Sequence, residues 1–185
     1  MAYTMEERRA FIIASCLKEK SKNPIEIFDH LIQDNHISVN GPEHHMLDGA
    51  CILTAFANAG GKINLEEGLN DLCDEGMRMP GAMCGLWGVC GACSSVGAAL
   101  SVIDHTGPLT PGDDWGNHMI LTSNALKALS QVGGPRCCKR DGYLSLLSAI
   151  SYINEHYPVI LERSPIHCQF QKLNRECKEE CPFYH

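Results

Sequence analysis

Eight of the eleven cysteines are grouped rather than scattered. Five lie in two glycine-rich segments: Cys84, Cys90 and Cys93 between Met83 and Cys93, then Cys137 and Cys138 in Gly133-Gly134-Pro135-Arg136-Cys137-Cys138-Lys139-Arg140. Three more close the chain as Cys168, Cys177 and Cys181-Pro182. Thiols at short spacing, on loops whose glycines let backbone approach a bound object, are the donor set of a zinc ion or an iron–sulfur cluster. Two thiolate sites are therefore expected.

The main site is read as Cys84, Cys90, Cys93 and Cys137 holding an iron–sulfur cluster of the 4Fe-4S type. Cys90 and Cys93 stand three apart at an expected helix start, where unpaired N–H groups and the helix dipole favour a thiolate. Adjacent side chains on a helix diverge by roughly 100°, so only one of Cys137 and Cys138 is expected to ligate. Cys138 is read as the spare, accessible thiol, with Arg136, Lys139 and Arg140 lowering its pKa and Arg136 or Arg140 orienting an anionic substrate. The tail site is read as Cys168, Cys177 and Cys181 holding zinc or a second cluster. His167, His185 or a sulfur from the main domain would supply its fourth ligand.

His44-His45 open a helix near Asp48, and His45 is read as a proton carrier beside the centre. The bland alternative is one capping and one surface histidine. Cys16, Cys51 and Cys73 lie within apolar helical patterns and are assigned to the core. Trp87 and Trp115 are assigned there too.

These groups need a scaffold. Thr4 with Glu7 has capping-box spacing for a helix over 5–20, and Asn23-Pro24 pairs a cap with a first-turn proline for a second. Further helices are expected from His44 to Asn58, after Asn64, from Val96, over 117–132 and from beyond Pro135 to Tyr157. Sustained alternation at period two is absent, so the fold class is all-α: a compact helical domain over 1–157 and a Cys-rich tail over 158–185 packed on it, with a short helix over 174–181.

At 185 residues and 44% hydrophobic content the chain can bury one ordinary core. Its formal charge of −7 leaves no basic face for nucleic acid. Neither a secretory leader nor a membrane-spanning stretch is read, which places the chain in the cytoplasm, where abundant thiols point to metal or redox chemistry.

The strings Cys84-Gly85-Leu86-Trp87-Gly88-Val89-Cys90-Gly91-Ala92 and Gly133 to Arg140, with Ser123-Asn124 between them, resemble an uncharacterised Cys-rich family of methanogens and other anaerobes. Some of its members are joined to methyltransferase-like regions. A weaker similarity links the chain to redox-active proteins that carry Cys, then Gly-Cys-Ala-x-x-Gly, then two later cysteines, although Gly91-Ala92-Cys93-Ser94-Ser95-Val96-Gly97 departs from that order. The expectation is an iron–sulfur protein handling electrons or sulfur in anaerobic metabolism, with a redox or methyltransferase partner. The competing expectation is a non-catalytic zinc-binding accessory module.

Overall fold

The computed structural model describes residues 3–184, and the chain is all-helical across them: eight α-helices, one 3-10 turn and no strand. The helices are α1 (Met5–Cys16), α2 (Pro24–Leu31), α3 (His44–Asn58), α4 (Leu65–Arg78), α5 (Met83–Leu86), α6 (Gly91–Ile103), α7 (Asn117–Val132) and α8 (Cys138–His156). The starts follow local chemistry. Thr4 Oγ1 accepts from the Glu7 amide while Glu7 accepts from Thr4 N–H, completing a capping box. Asn23 accepts from Ile25 N–H with Pro24 in the first turn, and Asn64 accepts from Glu67 N–H.

α3 is the spine. Every residue from His44 to Phe56 is buried, and the helix packs most heavily against α6, with α1, α2, α4 and α8 also on it. Ser95 of α6 accepts a hydrogen bond from the Gly49 amide at 2.8 Å, which fixes the α3–α6 crossing. Cys16, Cys51 and Cys73 are wholly buried in the core, as their apolar surroundings in sequence suggest. Burial pushes the thiols of Cys16 and Cys73 up to about 12, so both stay protonated.

Several expectations are corrected. α1 stops at Cys16, because Lys18 to Lys22 carry no apolar stripe to bury and Asn23-Pro24 must be free to start α2. α6 begins at Gly91 rather than Val96: the small residues that look like loop are the buried, close-packing turn of a helix. The segment 174–181 forms turns and no helix. Trp87 and Trp115 are not core, at 64% and 39% exposed. Instead the tail inserts Val159, Leu161, Phe170 and Phe183 into the common core, with Phe183 edge-on to Tyr143 at 5.3 Å between centroids. No helix among the described residues is long and apolar enough to cross a membrane.

Candidate functional site

The N-terminus of α8 divides two neighbouring cysteines. Cys137 is the N-cap, in extended backbone at φ −150° and ψ 103°, and Cys138 is the first helical residue. Cys138 lines a cavity of about 290 Å³ together with Cys84, Cys90, His44, His45 and Asp141. Cys137 lines a different and much smaller cavity of about 20 Å³ with Cys168, Cys177 and Cys181. The structure thus brings Cys84 and Cys90 together with Cys138, and sets Cys137 among the tail thiols. Cys93 lines neither cavity: it is buried behind Cys90, with its sulfur 3.5 Å from Ser145 Oγ.

All eleven cysteines are free thiols. Around the larger cavity they are also reluctant acids. The hydrogen bond with Cys93, followed by burial, raises Cys90; burial followed by the nearby Cys90 raises Cys84. Burial pushes Cys138 up to about 12 against a lowering contribution from the Gly41 amide. The expected lowering of the Cys138 pKa by basic neighbours is therefore corrected. Lys139 is fully buried, donates to Ser38 O at 2.9 Å and lies 4.9 Å from the centre of the Phe170 ring. Arg140 is buried and pairs with Asp141 at 2.9 Å while donating to Pro135 O. Only Arg136 of the three is exposed, at the rim shared by the 290 Å³ cavity and an adjoining groove of about 920 Å³.

Beneath the cavity floor lies a buried polar cluster on α3 and α8. His44 and His45 are 1% and 7% exposed, so neither is the surface histidine of the bland reading. His44 Nε2 stands 3.2 Å from the Lys139 ammonium and 3.4 Å from Ser38 O. Nδ1 lies 3.9 Å from Asp48 Oδ1. Burial, then the Lys139 charge, drives the His44 pKa down to about 3, and burial lowers that of Lys139 to about 8. Asp48 is fully buried and neither carboxyl oxygen has a hydrogen-bond partner; burial raises its pKa well above the carboxylate range, against the lowering charges of Lys139 and His45. A carboxyl so shifted behind a thiol-lined cavity is a candidate functional group.

Two glycines make room for this cluster. A Cβ at Gly91 would lie 1.9 Å from His45 Cδ2, so the imidazole lies directly on the first turn of α6 beside Cys90. A Cβ at Gly142 would lie 2.7 Å from Asp48 Oδ1, which seats the carboxyl against α8 backbone. At the rim, Ala82 holds a left-handed φ of 62°, a conformation that costs a residue with a Cβ roughly 1 kcal/mol.

Asp141, the complete burial of Asp48 and the inward turn of Lys139 are what the motif reading did not single out. A signal existed for Asp48, the only charged residue between Met46 and Gly61 in an otherwise apolar and small-residue run. Away from both cavities, Asp104 accepts from Tyr157 Oη at 2.7 Å, and His118 packs edge-on to Trp115. His185 lies outside the described residues.

The donors have the right chemistry for a soft metal, and the 290 Å³ cavity has room for a cluster. Among the described residues, however, no three Cys, His, Asp or Glu side chains are drawn into a set that could hold a metal ion.

Residues 12–184 match the family of unknown function (DUF5714). No curated protein and no solved structure matches the chain.

Proposed function

The chain belongs to that family of unknown function, and from the arrangement of its side chains we propose an iron–sulfur protein that handles electrons or sulfur, in the cytoplasm of an anaerobe, at the cavity of Cys84, Cys90 and Cys138. One observation carries the reading: three cysteines from two segments far apart in sequence face one cavity that also presents buried histidines. In this reading Cys138 takes the place that the sequence assigned to Cys137, and Cys93 stands behind Cys90 as a hydrogen-bond partner. A cluster held there supplies one-electron transfer or an open iron position for sulfur.

The protein's own groups do the rest. His45, wedged on Gly91 beside Cys90 and within electrostatic reach of Asp48, takes up or delivers a proton at the cavity. Arg136, exposed at the rim, orients a small anionic substrate. The buried Lys139 balances negative charge on Asp48 and the thiolates without meeting solvent. Because burial keeps the thiols protonated, metal loading releases protons and is favoured as pH rises.

Anaerobic purification followed by iron and acid-labile sulfide analysis tests this. Wild type and Cys73→Ser should carry both; Cys84→Ser, Cys90→Ser and Cys138→Ser should lose them. A colourless protein with zinc at Cys84, Cys90 and Cys138 would sink the proposal.

A second reading, a zinc-binding accessory module for a redox or methyltransferase partner, draws on Leu86 and Trp87. They are 80% and 64% exposed on the same loop as Cys84, an uncommon position for two large apolar side chains side by side. The same metal analysis separates the two.

A further inference from the structure

We propose that Cys137, Cys168, Cys177 and Cys181 form a four-thiolate site for a single tetrahedral ion of the zinc class, closing the tail onto the start of α8. The four side chains line one cavity with Arg140 and Asn174. Three come from the tail and the fourth from the N-cap of α8, so the fourth ligand is a main-domain sulfur.

Size selects the occupant. A cavity of about 20 Å³ accommodates roughly one water. That suits one ion with sulfurs about 2.3 Å away and leaves no space for an eight-atom cluster. The donor set selects among ions, because four soft thiolates in a tetrahedron favour zinc.

The surroundings are prepared for negative charge. Four thiolates on a dication leave a double negative charge, and the buried Arg140 guanidinium stands on the cavity wall. The Nδ2 donor of Asn174 is buried without a partner in a residue only 5% exposed. A buried amide N–H lining a thiol cavity is a donor held ready for a sulfur anion. The backbone amides of Arg140 and Lys139 point to the Cys137 sulfur. Cys137, Cys181 and Cys177 all lie within electrostatic reach of Cys168.

The backbone supports convergence. Cys177 and Cys181 each end a turn, donating to Asn174 O at 3.1 Å and Lys178 O at 3.2 Å. Between them, the Lys178 ammonium donates to Val132 O at 2.6 Å and Gly134 O at 2.9 Å, tying the turn to the loop that delivers Cys137. From 158 to 184 the chain contains neither helix nor strand. A segment of that length without secondary structure needs another source of order, which a structural ion supplies as folding free energy. Binding draws the four sulfurs inward and proceeds as four thiols plus one divalent ion giving the tetrathiolate and four protons.

This site stands apart from the Cys84, Cys90 and Cys138 reading, and the test separates them. The full chain is purified from zinc-replete cells, its metal measured, and the tail site refilled with cobalt(II). Wild type should hold one zinc, and its cobalt form should show the visible bands and thiolate charge transfer of a tetrahedral sulfur site. Cys137→Ser and Cys181→Ser should weaken zinc binding by more than about tenfold; Cys138→Ser should leave it unchanged. Cys137→His, which keeps a ligand, should retain zinc but shift the cobalt bands, so the assignment stays testable if the serine variant misfolds. An unaltered cobalt spectrum in both Cys137 variants, a wild type without zinc, or labile sulfide that tracks Cys168, Cys177 and Cys181 overturns the proposal. Zinc without iron leaves this site standing and removes the Cys84, Cys90 and Cys138 reading; iron lost in Cys138→Ser with zinc indifferent to Cys137 does the reverse.

Discussion

The two cysteine cavities differ in what surrounds the sulfur. Around Cys137, Cys168, Cys177 and Cys181 the space is about 20 Å³, four thiols face it and a single cation stands on its wall. Around Cys84, Cys90 and Cys138 it is about 290 Å³, three thiols face it, and histidines, Asp141 and Arg136 join them. Complete donor sets in tight space belong to structural ions; incomplete sets in roomy, protonatable space belong to chemistry. One peptide bond separates the two regimes, since the change from extended to helical backbone at Cys137 and Cys138 turns successive side chains apart.

The most forceful way to break this comparison is to exchange serine for each of the adjacent pair. Cys138→Ser should abolish bound iron and leave zinc, and Cys137→Ser should do the opposite, read by metal analysis of anaerobic protein. Identical losses would merge the two cavities into one centre.

Next in size is a steric change on the open side. Gly91→Ala drives a Cβ into the His45 ring and should cost about 2 kcal/mol, lowering the thermal midpoint and the iron content. Gly85→Ala, with nothing within 4 Å of the added carbon, should do neither. A silent Gly91→Ala would mean that His45 is free to leave.

Acid sharpens the contrast further. With His44 held at about 3 against an ordinary 6.5, the folded chain binds fewer protons than the unfolded one between those values. Stability from this group is thus present above pH 6.5 and lost as pH falls toward 3. Asp48 acts with opposite sign, because its raised pKa favours the folded state at low pH. His44→Gln should therefore flatten the acid limb of a melting-temperature profile, and Asp48→Asn should steepen it.

The smallest effect belongs to the tail. Lys178→Ala removes two hydrogen bonds from a partly exposed ammonium and should cost about 1 kcal/mol. It should also speed zinc loss to a chelator. Iron content should not move.

The parts of this molecule legible in sequence are those with local causes. The Thr4 and Glu7 box, Asn23-Pro24 and Asn64 announce their helices because cap and first turn lie within four residues. Cys16, Cys51 and Cys73 announce burial through apolar neighbours. The grouping of the other thiols is tertiary: Cys168 meets Cys137 only after the tail lays Phe170 and Phe183 into the core. Glycine density misled at α6, where small residues serve close packing instead of a loop, and basic density misled at α8. A run such as Arg136, Lys139 and Arg140 reads as a solvated face until the first turn of α8 aims two of its three charges inward.

Exposure of Trp87 gives the molecule a built-in optical gauge. Its indole is exposed to solvent three residues from Cys84, at the end of α5, which carries Cys84 to the larger cavity. Closure would move the ring to drier surroundings and shift its emission to the blue, while a metal chromophore absorbing in the near ultraviolet would drain its intensity. The lining of the tail cavity includes no tryptophan, so the two proposed loading events would carry separate signatures in the light the protein emits.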